Sequence, residues 1–129
     1  SVSVVELMSK DSQHMTDDDR RKVAEAVRAA GGSRDMRAET SGIVILHGTD
    51  TLTVTGEYLR ASLEPAVPIV LTGAMRPFEM TRSDALQNLT EAIFATGVVG
   101  PGVYCAAHGR VLAFPGVFKD RERWTFSKR

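Results

Sequence analysis

The run His47-Gly48-Thr49-Asp50-Thr51 puts two hydroxyls and a carboxylate in three consecutive positions. A threonine hydroxyl is a weak nucleophile or proton relay until a neighbouring group activates it. An adjacent aspartate can hold the amine of a small substrate. Lys119 offers a further charge, since a lysine near a threonine tunes its hydroxyl and Asp50 can orient that lysine. Ser12 and Gln13 supply a hydroxyl and an amide suited to binding a carboxylate. Each of these groups also has a plainer use. Thr49, Asp50 and Thr51 suit a helix N-cap equally well. Lys119, beside Asp120 and Arg121, reads as a solvated surface lysine. Ser12 and Gln13 fit an ordinary polar turn. Local pattern alone leaves these alternatives open.

Strands and helices alternate around those residues. Val2 to Met8 reads as a strand, followed by a polar loop through Met15. Thr16 can cap a helix, Asp19 stands at the capping-box position, and Asp17 to Asp19 suit the positive helix end. Val23, Ala26, Val27 and Ala30 then recur at helical spacing, and Gly31-Gly32 ends the helix. Positions 33–41 read as loop. Gly42 to His47 reads as a strand, and its continuous apolar run Ile43 to Leu46 is as expected of a parallel strand buried on both faces.

A helix is predicted from about Thr51 to Leu63, ended by Pro65 and Pro68, and a strand over Ile69 to Thr72. A loop holds Pro77. Ser83 is expected to cap a helix to about Thr96, with Ala85, Leu89, Ala92 and Ile93 on one face. Val103 to Ala107 and Arg110 to Phe114 read as a hairpin across His108-Gly109. The charged residues from Phe118 onward are expected to be loop or frayed. The alternation predicts an α/β fold, three-layered and doubly wound, with a mostly parallel sheet and a C-terminal β-hairpin. In such sheets ligands bind beyond the carboxyl ends of the strands. The 11–13, 48–50, 73–75 and 108–109 segments all fall there.

Bulk properties exclude some functions. The 129 residues give room for one domain with a core. Sixteen basic residues balance sixteen acidic ones, so no positive excess favours nucleic acid or an anionic membrane. No apolar run is long enough to span a bilayer as a helix. The single cysteine, Cys105, lies in an apolar stretch and reads as a small core residue, which fits a cytoplasmic setting. His14, His47 and His108 match no metal-binding spacing, and His47 reads as a hydrogen-bonded core histidine. Arg76 and Asp84 are expected to brace a loop as an ion pair, and Asn88 to brace backbone.

Longer motifs are more specific. Residues 42–51, GIVILHGTDT, resemble the second signature of bacterial-type L-asparaginases. The likeness continues through 68–77, PIVLTGAMRP, through Arg82-Ser83-Asp84 and through Asn88-Leu89. Asp11-Ser12-Gln13-His14-Met15 resembles that family's carboxylate-binding loop. The resemblance implies a Thr-Lys-Asp triad of Thr49, Lys119 and Asp50, with Asp50 also holding the substrate's α-amino group. It implies Ser12 and Gln13 on the α-carboxylate and the Ala74 carbonyl near the side-chain amide. The implied reaction turns L-asparagine, or L-glutamine, and water into the acid and ammonia, with no cofactor and no metal. The implied assembly is a homo-oligomer, a dimer or tetramer.

Two departures qualify that picture. The family's opening Thr-Gly-Gly-Thr-Ile strand, which carries its usual first nucleophile, has no match here. Its smaller C-terminal domain is also absent from these 129 residues, as it is in a compact class of asparaginases. The expectation is therefore an asparaginase-like N-terminal domain over 1–129, without its first strand and without a C-terminal domain. A leading segment in the native protein is expected to supply that strand. Competing readings are an asparaginase-like subunit of a tRNA-dependent amidotransferase and a non-catalytic amino-acid-binding module.

Overall fold

The computed structural model describes residues 2–4, 14–36, 40–73 and 84–129. A five-stranded sheet runs β1 (Val2–Val4), β2 (Gly42–Leu46), β3 (Pro68–Thr72), β4 (Gly102–Ala107), β5 (Arg110–Ala113), in that spatial order. The first four are parallel, and β5 returns antiparallel to β4. Three helices connect the parallel strands: α1 (Asp17–Ala29), α2 (Leu52–Ser62) and α3 (Ala85–Ala95).

Period-two alternation sends successive side chains to opposite faces. Ile43, Ile45, Ile69, Leu71, Val103 and Cys105 pack on one side against Val23, Ala24 and Val27 of α1 and Leu52 and Leu59 of α2. Val44, Val70 and Ala106 pack on the other side against Ala92 and Ala95 of α3. Helices thus cover both faces, giving the three layers, and the apolar runs of β2 and β3 follow from burial on both sides.

The steps β2 to β3 and β3 to β4 go the same way across the sheet, yet α2 and α3 lie on opposite faces. Two such connections have opposite hands. Right-handed crossovers are the strong rule, and α1 shares the face of α2, so β3–α3–β4 is the left-handed exception.

The α1 start is as expected. The Thr16 hydroxyl accepts from Asp19 N–H at 3.2 Å, and Asp19 Oδ2 accepts from Thr16 N–H at 3.0 Å. Helix α3 begins at Ala85 with Asp84 as N-cap; the expected cap, Ser83, lies outside the described residues, as does Arg76. Its buried positions are Asn88, Ala92 and Ala95, whereas Ile93 is exposed, because the small side chains let α3 sit close to the sheet.

The expectation of a loose C-terminus is wrong. Strands β6 (Val117–Asp120) and β7 (Thr125–Lys128) form a separate antiparallel hairpin. Val117 and Phe126 anchor it in the core. Gly116, at φ 99°, turns the chain into the hairpin from a left-handed conformation that suits glycine. Its N–H donates to Glu57 Oε2 at 2.7 Å.

Candidate active site

Strand β2 ends at Leu46, and the chain turns outward at its carboxyl end. His47 N–H still donates to Thr72 O at 2.9 Å, so the strand ends at 47 and 72 stay side by side. They approach so closely that a Cβ on Gly73 would lie 2.1 Å from the His47 carbonyl oxygen. A backbone oxygen cannot swing aside as a side chain can. Gly73→Ala is therefore expected to lower stability by about 1–3 kcal/mol, read from the urea midpoint, and to displace the Thr49 turn. A variant with an unchanged midpoint would show that the two strand ends can part freely.

The structure brings Thr49, Asp50 and Lys119 together. Lys119 reaches across from β6, and its Nζ donates to Thr49 Oγ1 and to Asp50 Oδ1, both at 2.9 Å. Lys119 is largely buried, with 15% of its side chain exposed, and is not the solvated lysine that its charged neighbours suggest. Arg121 stands 3.5 Å from the same Asp50 oxygen. The hydrogen bond and charge of Lys119, with a smaller contribution from Arg121, hold the Asp50 carboxyl below the usual carboxylate range. Its favourable effect on folding is thus present at neutral pH and is lost only as pH falls through that lowered value. The capping alternative fails on geometry: Thr51 is the N-cap of α2, and it makes no side-chain capping bond.

Beneath the turn lies a buried polar chain. Arg20 Nε–H donates to Thr55 Oγ1 at 3.2 Å, and Thr55 Oγ1 lies 2.7 Å from His47 Nε2. His47 Nδ1 lies 2.7 Å from the Gly48 carbonyl. A carbonyl only accepts, so Nδ1 carries the hydrogen; Nε2 of the neutral ring then accepts from the Thr55 hydroxyl. Every bond points toward the Gly48–Thr49 peptide. His47 is the hydrogen-bonded core histidine its position suggests. Sequence pattern misses Arg20 and Thr55, although Arg20 shares the helical stripe of Val23, Ala24 and Val27, a spacing that marks a buried position.

Burial, followed by the smaller effect of the Arg20 charge, pushes the His47 pKa down, against the bond to Gly48 O. A lowered histidine pKa means that the unfolded chain takes up a proton the folded one resists. Stability should therefore fall as pH drops below 6.5 and level off beneath the folded value. Denaturation midpoints at several pH values check this: the acid-side slope should shrink in His47→Gln, and an unchanged slope would assign it to other groups.

At the neighbouring strand ends, Asn88 Nδ2 donates to Gly73 O at 2.8 Å, the backbone-bracing role expected of it. Its Oδ1 accepts from His108 N–H at 3.1 Å. Cys105 is buried, and its thiol is pushed up to about 12, which makes it unreactive. Among the described residues no cluster of metal-ligating side chains occurs. Ser12, Gln13 and Ala74, the expected substrate-binding residues, lie outside the described residues. A cleft of about 630 Å³ opens at the opposite end of the strands, between Arg60, Pro65, Gly102 and Phe114, and contains none of the three clustered residues.

Known proteins share this arrangement of strands and motifs. The family description "Asparaginase, N-terminal" matches residues 1–121. The chain belongs to the asparaginase family. The L-asparaginase of Thermococcus kodakarensis is 41% identical over 75 residues, covering 57% of this chain and 23% of that protein. Its solved structure, "The thermostable L-asparaginase from Thermococcus kodakarensis", superposes with a TM-score of 0.82 at 32% identity, over 95% of this chain and 36% of that one. A glutamyl-tRNA(Gln) amidotransferase subunit of Methanococcus vannielii is 38% identical over 88 residues, 68% of this chain and 20% of the relative. The "Probable L-asparaginase periplasmic" of Haemophilus influenzae is 36% identical over 111 residues, 84% of this chain and 30% of the relative. The chain thus spans well under half the length of these curated relatives. No helix among the described residues is long and apolar enough to cross a membrane.

Proposed function

We propose that this asparaginase-family domain hydrolyses the side-chain amide of L-asparagine, giving L-aspartate and ammonia. The observation that carries the reading is Lys119 Nζ bonded at 2.9 Å to both Thr49 Oγ1 and Asp50 Oδ1, beyond the carboxyl end of a parallel strand. An ammonium beside a hydroxyl lowers the cost of negative charge on that oxygen. Thr49 Oγ1 attacks the amide carbon while its proton passes to the departing nitrogen, which leaves as ammonia. Water then cleaves the acyl ester and restores the hydroxyl. Backbone N–H groups of the rim stabilise the oxyanion in both steps. Asp50 steadies Lys119 and receives the substrate's α-amino group; Ser12 and Gln13 take the α-carboxylate, and the Ala74 carbonyl faces the amide. The chemistry calls for no cofactor.

In this reading the 1–129 segment is the family's N-terminal domain. A cytoplasmic location fits the unpaired Cys105. Association into a homo-oligomer fits the exposed apolar Leu86 and Ile93, two turns apart on α3.

A second reading, an ammonia-supplying component of a tRNA-dependent amidotransferase, is favoured by the likeness to the Methanococcus vannielii protein. One assay separates the two. Ammonia release from free asparagine by the protein alone supports the amidohydrolase. Release only with a partner protein and tRNA supports the second reading. Binding of asparagine without turnover under either condition sinks both.

A further inference from the structure

We propose that His108 is a positioning residue for Lys119, acting through Thr125; the proposal rests on the amidohydrolase reading only for its kinetic test. Lys119 sits on a hairpin that forms its own two-stranded sheet, so among the described residues no strand ladder fixes it to the main sheet. Glu57 holds the base of the hairpin at Gly116, and Phe126 fills the core beneath. The Arg110 guanidinium on β5 also donates to the carbonyl of Phe126, the residue paired with Lys119, and something further must set the end of the hairpin beyond that pair.

His108 does so from the β4–β5 turn. Its Nδ1 lies 2.8 Å from Thr125 Oγ1 on β7. Thr125 pairs with Asp120, and the next pair along is Phe126 with Lys119. The other ring nitrogen, Nε2, lies 2.6 Å from Asp84 Oδ2 at the start of α3. A carboxylate accepts, so Nε2 donates to Asp84, while Nδ1 shares a hydrogen bond with the Thr125 hydroxyl. Asp84 Oδ2 also accepts from Asn88 Nδ2 at 2.9 Å.

The bonds close a circuit. Asn88 binds Gly73 O and His108 N–H. Gly73 lies close against the His47–Thr49 turn, with no room between them for a side chain, and the Thr49 hydroxyl of that turn receives Lys119. One side of the circuit therefore places Thr49 and the other places Lys119, with His108 between them. The residue holds a left-handed backbone, φ 52°, which directs its ring at both partners, and histidine tolerates this conformation better than most side chains.

The test combines kinetics with hydrogen exchange. His108→Ala and Thr125→Val should each lower kcat by about 10- to 100-fold with KM held within about twofold, since misplacing a reacting group by an ångström costs about that much. Thr125→Ser keeps the hydroxyl and should retain the parent kcat. In a Lys119→Ala background His108→Ala should add no further loss, because its effect runs through the missing amine. Multiplying losses in that double variant, or an unchanged kcat in the single ones, would overturn the proposal. Amide exchange read by mass spectrometry stands apart from turnover. His108→Ala should speed exchange across 117–128 and leave β2 to β4 as protected as before. Parent-like protection of the hairpin overturns the proposal even if the enzyme is active. If the parent protein releases no ammonia from asparagine, the functional reading fails, and exchange alone judges the role of His108.

Discussion

Thr49→Val is expected to abolish asparagine hydrolysis while leaving the domain folded. Valine has almost the shape of threonine, so packing beside Gly73 is kept and only the oxygen is lost. That oxygen is the acceptor of one Lys119 bond, and the amine retains its second acceptor in Asp50. The stability cost should stay near about 1 kcal/mol, the net worth of one partly exposed hydrogen bond. The kinetic cost is of another order. Removing a group that forms a covalent bond to the substrate lowers kcat by about 10³-fold or more. Steady-state ammonia release, with circular dichroism to verify folding, separates the two effects. Parent-like turnover in the valine variant would remove Thr49 from the mechanism.

Phe126→Ala should be the most damaging change to stability outside the main sheet. Phe126 is 2% exposed and belongs to the core cluster under α2. Truncating a buried phenylalanine costs about 3–5 kcal/mol, a large part of the roughly 5–15 kcal/mol that hold a domain together. Phe126 also lies opposite Lys119 in the hairpin register, so the cavity opens beside the strand position that carries the lysine. Activity should fall more than the folded fraction does. Urea denaturation and a rate per folded molecule report both quantities. A loss below about 1 kcal/mol would mean that the hairpin is far less firmly packed than its burial indicates.

Much of the sheet was legible in the sequence because burial on both faces leaves continuous apolar runs, as in Ile43 to Leu46 and Ile69 to Leu71. The α1 cap was legible because a capping box is local chemistry within four residues. The hairpin was not. Each of its strands buries one side chain, Val117 or Phe126, and the intervening Lys119, Asp120 and Arg121 resemble a solvated tail. Lys119 itself is found through family resemblance, since no local rule places a lysine against a threonine 70 positions away. The Arg20–Thr55–His47 chain was hidden for a related reason. Its members come from α1, α2 and the end of β2, and they meet only in the folded protein.

The separate hairpin has a consequence for the order in which the site comes into being. Asp50 and Lys119 stand 69 positions apart, so a ribosome emits the hydroxyl and carboxylate long before the amine. The parallel strands can pair and bury their faces while the 117–128 hairpin is still being made. Loop closure over such a span is slow compared with local pairing. The nascent domain thus passes through a stage that is folded yet lacks the Lys119 amine, and docking of the 117–128 hairpin is what brings that amine to Thr49 and Asp50.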